Sequence, residues 1–207
     1  SFKIGINGIN RKADFANHDF DDKRWPLFKH TFKPWNSTGD MIVICGQHDA
    51  SEQWKGLPKM SQWIEQQINE IRKFTTRPIL VRPHPRNHIQ FNPENFTNVK
   101  VRLPRRDYKT YDDTDFKATL DRTWAVVNHS SNPAMEAVIN GVPVFVSEDS
   151  LCHDVGNISL ADINTPAMPG RQKWANQLSY TEWFPDEIEQ GLPWQRLKKR
   201  LEEKYIK

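Results

Sequence analysis

Two short polar runs carry the side chains best suited to bind an anion. The first is Arg82-Pro-His-Pro-Arg86, in which two prolines fix the backbone on either side of His84. The guanidinium groups of Arg82 and Arg86 are planar forks that suit phosphate oxygens. His84 can donate a hydrogen bond to a phosphate or act as an acid. The run therefore predicts an anion site, and the alternative is a stiff surface turn.

The second run is Asn128-His-Ser-Ser131, which precedes a predicted helix. Asn132 suits the N-cap of that helix and a proline follows it at the first helical position. Ser130 and Ser131 would then place hydroxyl and backbone N–H groups beside an anion. Glu136 lies in the first helical turns, where it suits a ribose diol better than a phosphate. The alternative is that Ser130, Ser131 and Asn132 only cap the helix.

A third loop, Gln47-His-Asp49, follows another apolar run. Asp49 or His48 could serve as a base or orient an acceptor. The alternative is a solvated turn over Asp49-Ala-Ser51, which the residue types favour almost as strongly.

A metal site is disfavoured, because the candidate ligands show no ligand spacing on one helix. These candidates are His48, Asp49, His84, His129 and His153. The sequence also lacks the glycine-rich phosphate loop, the dinucleotide fingerprint and the nucleophile elbow. We therefore expect neither a metal nor a resident cofactor.

The elements that must position these residues are short apolar runs alternating with helical patterns. The predicted strands cover Met41–Cys45, Pro78–Val81, Val99–Arg102, Trp124–Val127 and Val142–Val146, and the predicted helices cover Pro58–Phe74, Phe116–Asp121 and Ala134–Asn140, the last ended by Gly141. This order predicts an α/β, Rossmann-like domain with a mainly parallel sheet and helices on both faces. Ligands of such sheets bind beyond the carboxyl ends of the strands. We expect the runs at 82–86 and 128–131 to follow neighbouring strands and to form one site.

Three regions are expected along the chain: an irregular N-terminal arm over residues 1–40, the Rossmann-like domain over 41–165, and a C-terminal helical strap over 166–207 that packs back across the sheet. Both terminal arms are rich in aromatic residues, and most of the eight tryptophans lie outside the predicted strands. Such residues usually pin irregular segments onto a core.

The net charge and the cysteine content indicate which binding partners and which cellular compartment to expect. The net charge of +3 is too small to indicate a nucleic-acid-binding protein by itself. Two cysteines do not make a disulfide framework, so we expect a reducing compartment. No apolar run has the length of a transmembrane segment and no leader pattern is visible, so we expect a cytoplasmic protein.

Four runs together resemble the capsule polysaccharide synthesis transferases, including the Kdo transferases, over about residues 40–150. They are Ile44-Cys-Gly-Gln-His-Asp49, Val81-Arg-Pro-His-Pro85, Val127-Asn-His-Ser-Ser131 and Glu136-Ala-Val-Ile-Asn-Gly-Val-Pro-Val144. The family consists of GT-B glycosyltransferases, in which a C-terminal Rossmann-like half holds the nucleotide of an activated sugar. Related domains occur in phage-encoded sugar transferases, some of which act on modified DNA bases.

The resemblance implies a glycosyltransferase with a nucleotide-sugar as donor and a glycan or modified nucleobase as acceptor, in a bacterial or phage-infected host cytosol. By this resemblance Arg82 and His84 contact the donor phosphate, the two serines hold phosphate or ribose, and Glu136 holds the ribose. Asp49 takes the position of a base or acceptor contact.

A GT-B enzyme has two Rossmann-like halves, and residues 1–40 are too few for a second one. We therefore expect a second domain or a homo-oligomer to complete the cleft, if the protein is an enzyme. The alternative function is a non-catalytic nucleotide-sugar-like module with a structural or assembly role. A phosphatase or nucleotide hydrolase that uses His84 is a weaker alternative, because spacing assigns no second catalytic histidine.

Overall fold

The computed structural model describes residues 1–87, 89–104 and 115–206. Among them, the strands are β1 (Phe2–Lys3), β2 (Met41–Cys45), β3 (Ile79–Arg82), β4 (Val99–Val101), β5 (Thr123–Asn128), β6 (Val144–Phe145) and β7 (Glu182–Trp183). The α-helices are α1 (Met60–Arg72), α2 (Phe116–Leu120), α3 (Pro133–Ile139), α4 (Gln172–Leu178), α5 (Pro185–Glu189) and α6 (Leu192–Tyr205). The chain divides into two compact units, Phe32–Pro169 and the combination of Ser1–Thr31 with Gly170–Lys207.

The larger unit contains a parallel sheet in the order β4-β3-β2-β5-β6. The chain fills the β3 and β4 side of β2 first and then returns to the other side with β5. This reversal makes the gap between β2 and β5 the topological switch point, where open α/β sheets bind ligands. The predicted α/β, Rossmann-like fold with a mainly parallel sheet is confirmed.

The central strands form because their side chains are apolar on both faces of the sheet. Ile42, Ile44 and Val127 pack in one cluster with the buried face of α1. That face repeats at helical spacing through Met60, Ile64, Ile68 and Ile71, all fully buried. The helix α3 connects β5 to β6 and packs on both. Since parallel crossovers are right-handed, α1 and α3 cover opposite faces.

The strand order corrects one expectation. β3 and β5 are not neighbours, because β2 lies between them and pairs with both. The runs at 82–86 and 128–131 therefore flank the loop that follows β2. Gly141 follows α3 with φ +80°, and a side chain there would meet the carbonyl of Pro34, so this turn requires glycine.

The smaller unit joins the two terminal segments through antiparallel pairing of β1 with β7. Arg24 is buried in it and pairs with the carboxylate of Glu187. The same guanidinium lies 4.1 Å from the ring centroid of Trp183 and donates to the carbonyl oxygens of Ser179 and Glu182 at 2.8 and 2.7 Å. Trp25 and Trp174 are also buried here. The three-region division expected from the sequence stays a prediction.

Within the ranges described, no helix combines the length and the apolar character needed to cross a membrane.

Candidate functional site

Gln47 joins the two loops at the switch point. Its side chain is buried, and Oε1 accepts hydrogen bonds from the backbone N–H of Ser130 at 2.7 Å and from its hydroxyl at 3.2 Å. Asn128 makes a parallel link, donating from Nδ2 to the Cys45 carbonyl at 3.1 Å. The loops after β2 and β5 are therefore closed onto each other. The sequence analysis missed Gln47 as a site residue, although its place directly after a buried strand was a usable signal.

The start of α3 is organised by Asn128 and Ser131. Asn128 accepts from the backbone N–H of Ser131 at 2.9 Å and donates to its hydroxyl at 2.7 Å. Asn132 occupies the N-cap and Pro133 the first helical position, as predicted, but the Asn132 side chain makes no capping hydrogen bond. The backbone of Asn132 already has helical φ and ψ, whereas a capping side chain usually reaches the first N–H groups from an extended backbone.

Two histidines face each other at the ends of β2 and β3. The rings of His48 and His84 pack edge to face with centroids 5.5 Å apart. Nδ1 of His48 accepts from the backbone N–H of Ala50 at 3.0 Å, and Nδ1 of His84 accepts from that of Arg86 at 3.2 Å. A neutral imidazole that accepts at Nδ1 carries its proton on Nε2. Both rings are therefore held in the tautomer that donates from Nε2.

Asn87 ties these two loops together. Its Nδ2 donates to the carbonyl of Gln47 and to Oδ2 of Asp49, both at 3.1 Å. Its backbone N–H donates to the carbonyl of His84 at 2.9 Å. The positions of His48 and His84 therefore depend on a residue that no sequence pattern singled out.

Asp49 lies at the start of α1. Its Oδ1 accepts from the backbone N–H of Met60, the first residue of that helix, at 2.7 Å. Its Oδ2 accepts from Asn87. A carboxylate at this place satisfies an otherwise unpaired helical N–H and interacts favourably with the helix dipole. The structure thus gives Asp49 a positioning role, and its predicted role as catalytic base stays a prediction.

The two arginines of the 82–86 run lie in different surroundings. Arg82 is buried, and its guanidinium faces Asp115, with Nη2 2.8 Å from Oδ1 and Nη1 3.4 Å from Oδ2. The guanidinium also lies 5.5 Å from the ring centroid of Phe116. Arg86 is exposed. The guanidinium group of Arg82 thus already has a carboxylate partner. Its predicted contact with phosphate stays a prediction.

Glu136 lies on α3, half-buried, with Oε1 2.9 Å from Nδ2 of Asn140 and 3.3 Å from Nζ of Lys117. It belongs to the sheet face opposite α1. The structure thus brings the loops of Asp49, His84 and Ser130 to one edge of the sheet, while the side chain of Glu136 contacts Asn140 and Lys117.

His129 lies beside the switch point and lines a cavity together with Trp63 and Phe145. Its Nδ1 is 3.1 Å from the Ser130 hydroxyl, and its ring packs edge to face against Trp54 and Trp63 at 5.0 and 6.4 Å. Burial lowers the pKa of His129 below its ordinary value, and the nearby charge of Asp149 offsets part of this effect. The imidazole is therefore neutral at neutral pH.

Across residues 1–87, 89–104 and 115–206, no three His, Cys, Asp or Glu side chains are grouped to hold a metal ion.

No family model matches the sequence, and no curated protein matches it either. Among solved structures, KpsC beta Kdo 2,7 transferase from Thermosulfurimonas dismutans superposes with a TM-score of 0.51 at 14% identity, covering 89% of this chain and 66% of that chain. KpsC beta Kdo 2,4 transferase from the same organism gives a TM-score of 0.45 at 10% identity, covering 75% of this chain and 53% of that chain. The chain thus spans between about half and two thirds of these structures. The first likeness shows a common Rossmann-like fold, and a phage origin has no support here.

Proposed function

We propose that this chain is the donor-binding half of a glycosyltransferase, and that it binds the phosphate of a nucleotide-activated sugar at the switch point. The observation that carries the proposal is the cross-linking of three loops at one sheet edge by Gln47 and Asn87. These bonds hold His48, His84 and Ser130 beside the gap where α/β sheets bind ligands.

Hydrogen-bond donors that are already fixed favour binding of a phosphate. The Nε2–H groups of His48 and His84 are oriented by backbone hydrogen bonds at Nδ1. Because the loops are held before the ligand arrives, little ordering entropy is lost on binding. Arg86, exposed two residues after His84, adds a positive charge to the same loop. Glu136 then takes the ribose hydroxyls from the α3 side.

The transfer step needs stabilisation of the departing phosphate. An acceptor hydroxyl attacks the anomeric carbon and gives its proton to solvent water, the bond from that carbon to the phosphate oxygen breaks, and the phosphate leaves with the electron pair. Donors from His48 and His84 stabilise the negative charge that develops on the leaving oxygen. We assign Asp49 to positioning rather than to proton abstraction, because both of its carboxylate oxygens accept hydrogen bonds within the loops.

The acceptor side of the cleft is proposed to come from elsewhere. The compared transferases are longer than this chain, so a second domain or a second copy would carry the acceptor, a glycan or a modified nucleobase.

A thermal-shift screen with UDP, CMP, GDP and their sugar derivatives tests the binding step. A nucleotide present at about one hundred times its dissociation constant stabilises the folded state by about 2.7 kcal/mol. We expect one nucleotide to raise the melting temperature of the wild type, and the shift to shrink strongly in His84→Ala. The matched control is His18→Ala, an exposed histidine of the smaller unit. If no nucleotide stabilises the folded wild type, the proposal fails.

A second candidate is a non-catalytic module of the same fold. Two observations favour it. Arg82, a predicted phosphate ligand, pairs with Asp115, and Asp49, a predicted base, accepts from the first N–H of α1. Both side chains therefore already serve to stabilise the fold. An assay for release of free nucleotide separates the two candidate functions. The protein is incubated with a nucleotide-sugar and candidate acceptors, and chromatography detects the products. Binding without any release under all conditions supports the module.

A further inference from the structure

A cavity of about 270 Å³ opens at the carboxyl edge of the sheet, on the face covered by α1. Its floor is formed by the ends of β5 and β6, including Val127 and Phe145. Trp63 and Gln67 of α1 form one wall. His129 belongs both to this cavity and to the loop of the proposed phosphate site. The cavity is therefore adjacent to that site.

The size of the cavity suits a single ring. Pockets that enclose drug-sized ligands have volumes of roughly 300–1,000 Å³, and this cavity is below that range. A single six-membered ring fits such a space better than an extended chain.

The chemistry of the lining suits a hydroxylated ring. The Trp63 indole and the apolar floor match the C–H faces of a sugar. Gln67 offers an amide donor and acceptor, while Ser147 and Glu148 line the rim with oxygen atoms. A sugar hydroxyl both donates and accepts, so it can use all of these groups. The described lining contains no lysine or arginine, which favours an uncharged ring over an acidic one.

We propose that this cavity is a subsite for an uncharged, hydroxylated sugar ring. The inference rests on the proposed function, in which the phosphate lies at the switch point and the ribose lies on the α3 side with Glu136. The helices α1 and α3 cover opposite faces of the sheet. With the ribose on the α3 side of the phosphate, the sugar on the far side of the phosphate lies on the α1 side, where the cavity is. The ring belongs either to the donor or to the acceptor, and the two share the same recognition chemistry.

Saturation-transfer NMR on the full chain tests this subsite with glucose, galactose, N-acetylglucosamine and, as an acidic comparison, glucuronate. We expect at least one neutral sugar to bind at millimolar concentration and glucuronate to bind more weakly. Gln67→Ala should weaken the binding about three- to tenfold, as expected for loss of one or two hydrogen bonds. Gln66→Ala is the matched control, since Gln66 is exposed on the same helix and lies outside the cavity. Trp63→Leu is a second variant, and circular dichroism confirms that each variant is folded.

Competition identifies the source of the ring. If a nucleotide-sugar displaces the neutral sugar while the nucleotide alone does not, the ring is that of the donor. If sugar and nucleotide-sugar bind together, the ring is that of the acceptor. Either result supports the subsite.

Three results would overturn it: no neutral sugar binds the folded wild type, glucuronate binds as well as the neutral sugars, or binding is unchanged in both Gln67→Ala and Trp63→Leu. The two proposals fail separately. Nucleotide binding without sugar binding removes the subsite and leaves the phosphate site. Sugar binding that depends on Gln67, without any nucleotide binding, removes the proposed donor function and leaves the cavity as a sugar site.

Discussion

His48 and His84 pack edge to face at an interplanar angle of 81°, each with its Nδ1 occupied by a backbone N–H two residues ahead. The backbone hydrogen bond at each Nδ1 fixes the tautomer of its ring. The loops can therefore present two Nε2–H donors side by side, and the removal of either ring should affect the same ligand.

The double-histidine arrangement predicts coupled effects on nucleotide binding. His48→Ala and His84→Ala should each weaken the binding of a nucleotide by about tenfold or more, as expected when a charge-assisted hydrogen bond to phosphate is lost. If both donors contact one phosphate, the double variant should show non-additive free energies. Isothermal titration calorimetry of the two single variants and the double variant provides this cycle. Additive losses would place the two rings on separate ligand groups.

The Arg82–Asp115 pair predicts a stability effect. Arg82→Met should destabilise the fold by about 3 kcal/mol, because loss of one partner of a buried ion pair leaves the other charge poorly compensated. Urea denaturation monitors the change. The control is Arg122→Met, which breaks the exposed pair with Asp40 and should cost far less, because exposed ion pairs contribute little to stability. A stable Arg82→Met variant that no longer binds nucleotide would instead assign Arg82 to the ligand.

Two substitutions of Asp49 distinguish a positioning role from a catalytic role. Asp49→Ala should lower stability by about 1 kcal/mol, the usual cost of removing a side chain that satisfies a helical N–H. Asp49→Asn keeps an oxygen acceptor for the Met60 N–H but loses the second acceptor for Asn87, so it should lose less stability than Asp49→Ala and still bind nucleotide. If Asp49→Asn is folded and binds nucleotide but has lost transfer activity, the carboxylate is the base after all.

Gln47 should contribute substantially to the stability of the fold, although its side chain is uncharged. Gln47→Met keeps the volume but removes the acceptor for the Ser130 N–H, and an unsatisfied buried donor costs about 1–3 kcal/mol. Chemical denaturation measures this loss, and Gln66→Met, an exposed change on α1, is its comparison. Equal stabilities of the two variants would show that the Ser130 N–H finds another partner.

His129 predicts a pH dependence of stability. Burial keeps the pKa of His129 below the ordinary value of 6.5 in the folded state. As the pH falls through that value, the unfolded chain takes up a proton that the folded chain resists, so stability falls; it is recovered above that pH. Replacing the residue, as in His129→Gln, should flatten this part of the curve. Denaturation at several pH values between about 5 and 8 covers the ordinary range of histidine titration, and an unchanged slope would contradict the prediction.

The sequence predicted which segments form strands better than it predicted which strands are adjacent in the sheet. Apolar runs such as 41–45 and 124–127 identify buried parallel strands because both faces of the strand are covered. The same runs do not tell on which side of β2 the chain will return, and this is why β3 and β5 were wrongly expected to be adjacent.

The site residues show the same limit. His84 and Ser130 stand out by residue type and by their place after strands. Asn87 and Asp115 do not, since their importance arises from tertiary contacts with Gln47 and Arg82. A hydrogen bond between loops depends on strand order and register, which local patterns do not encode.

The central position of β2 also has a consequence for folding. The Cys45–Asn128 hydrogen bond joins residues 83 positions apart, whereas β3 follows β2 after a single helix. During synthesis, β2 and β3 can pair early, while the other edge of β2 waits for β5. Non-local pairing of this kind is slow, and an unpaired edge invites association with other chains. Under the proposed function, a nascent chain would gain nucleotide binding at the switch point only after β5 has paired with β2.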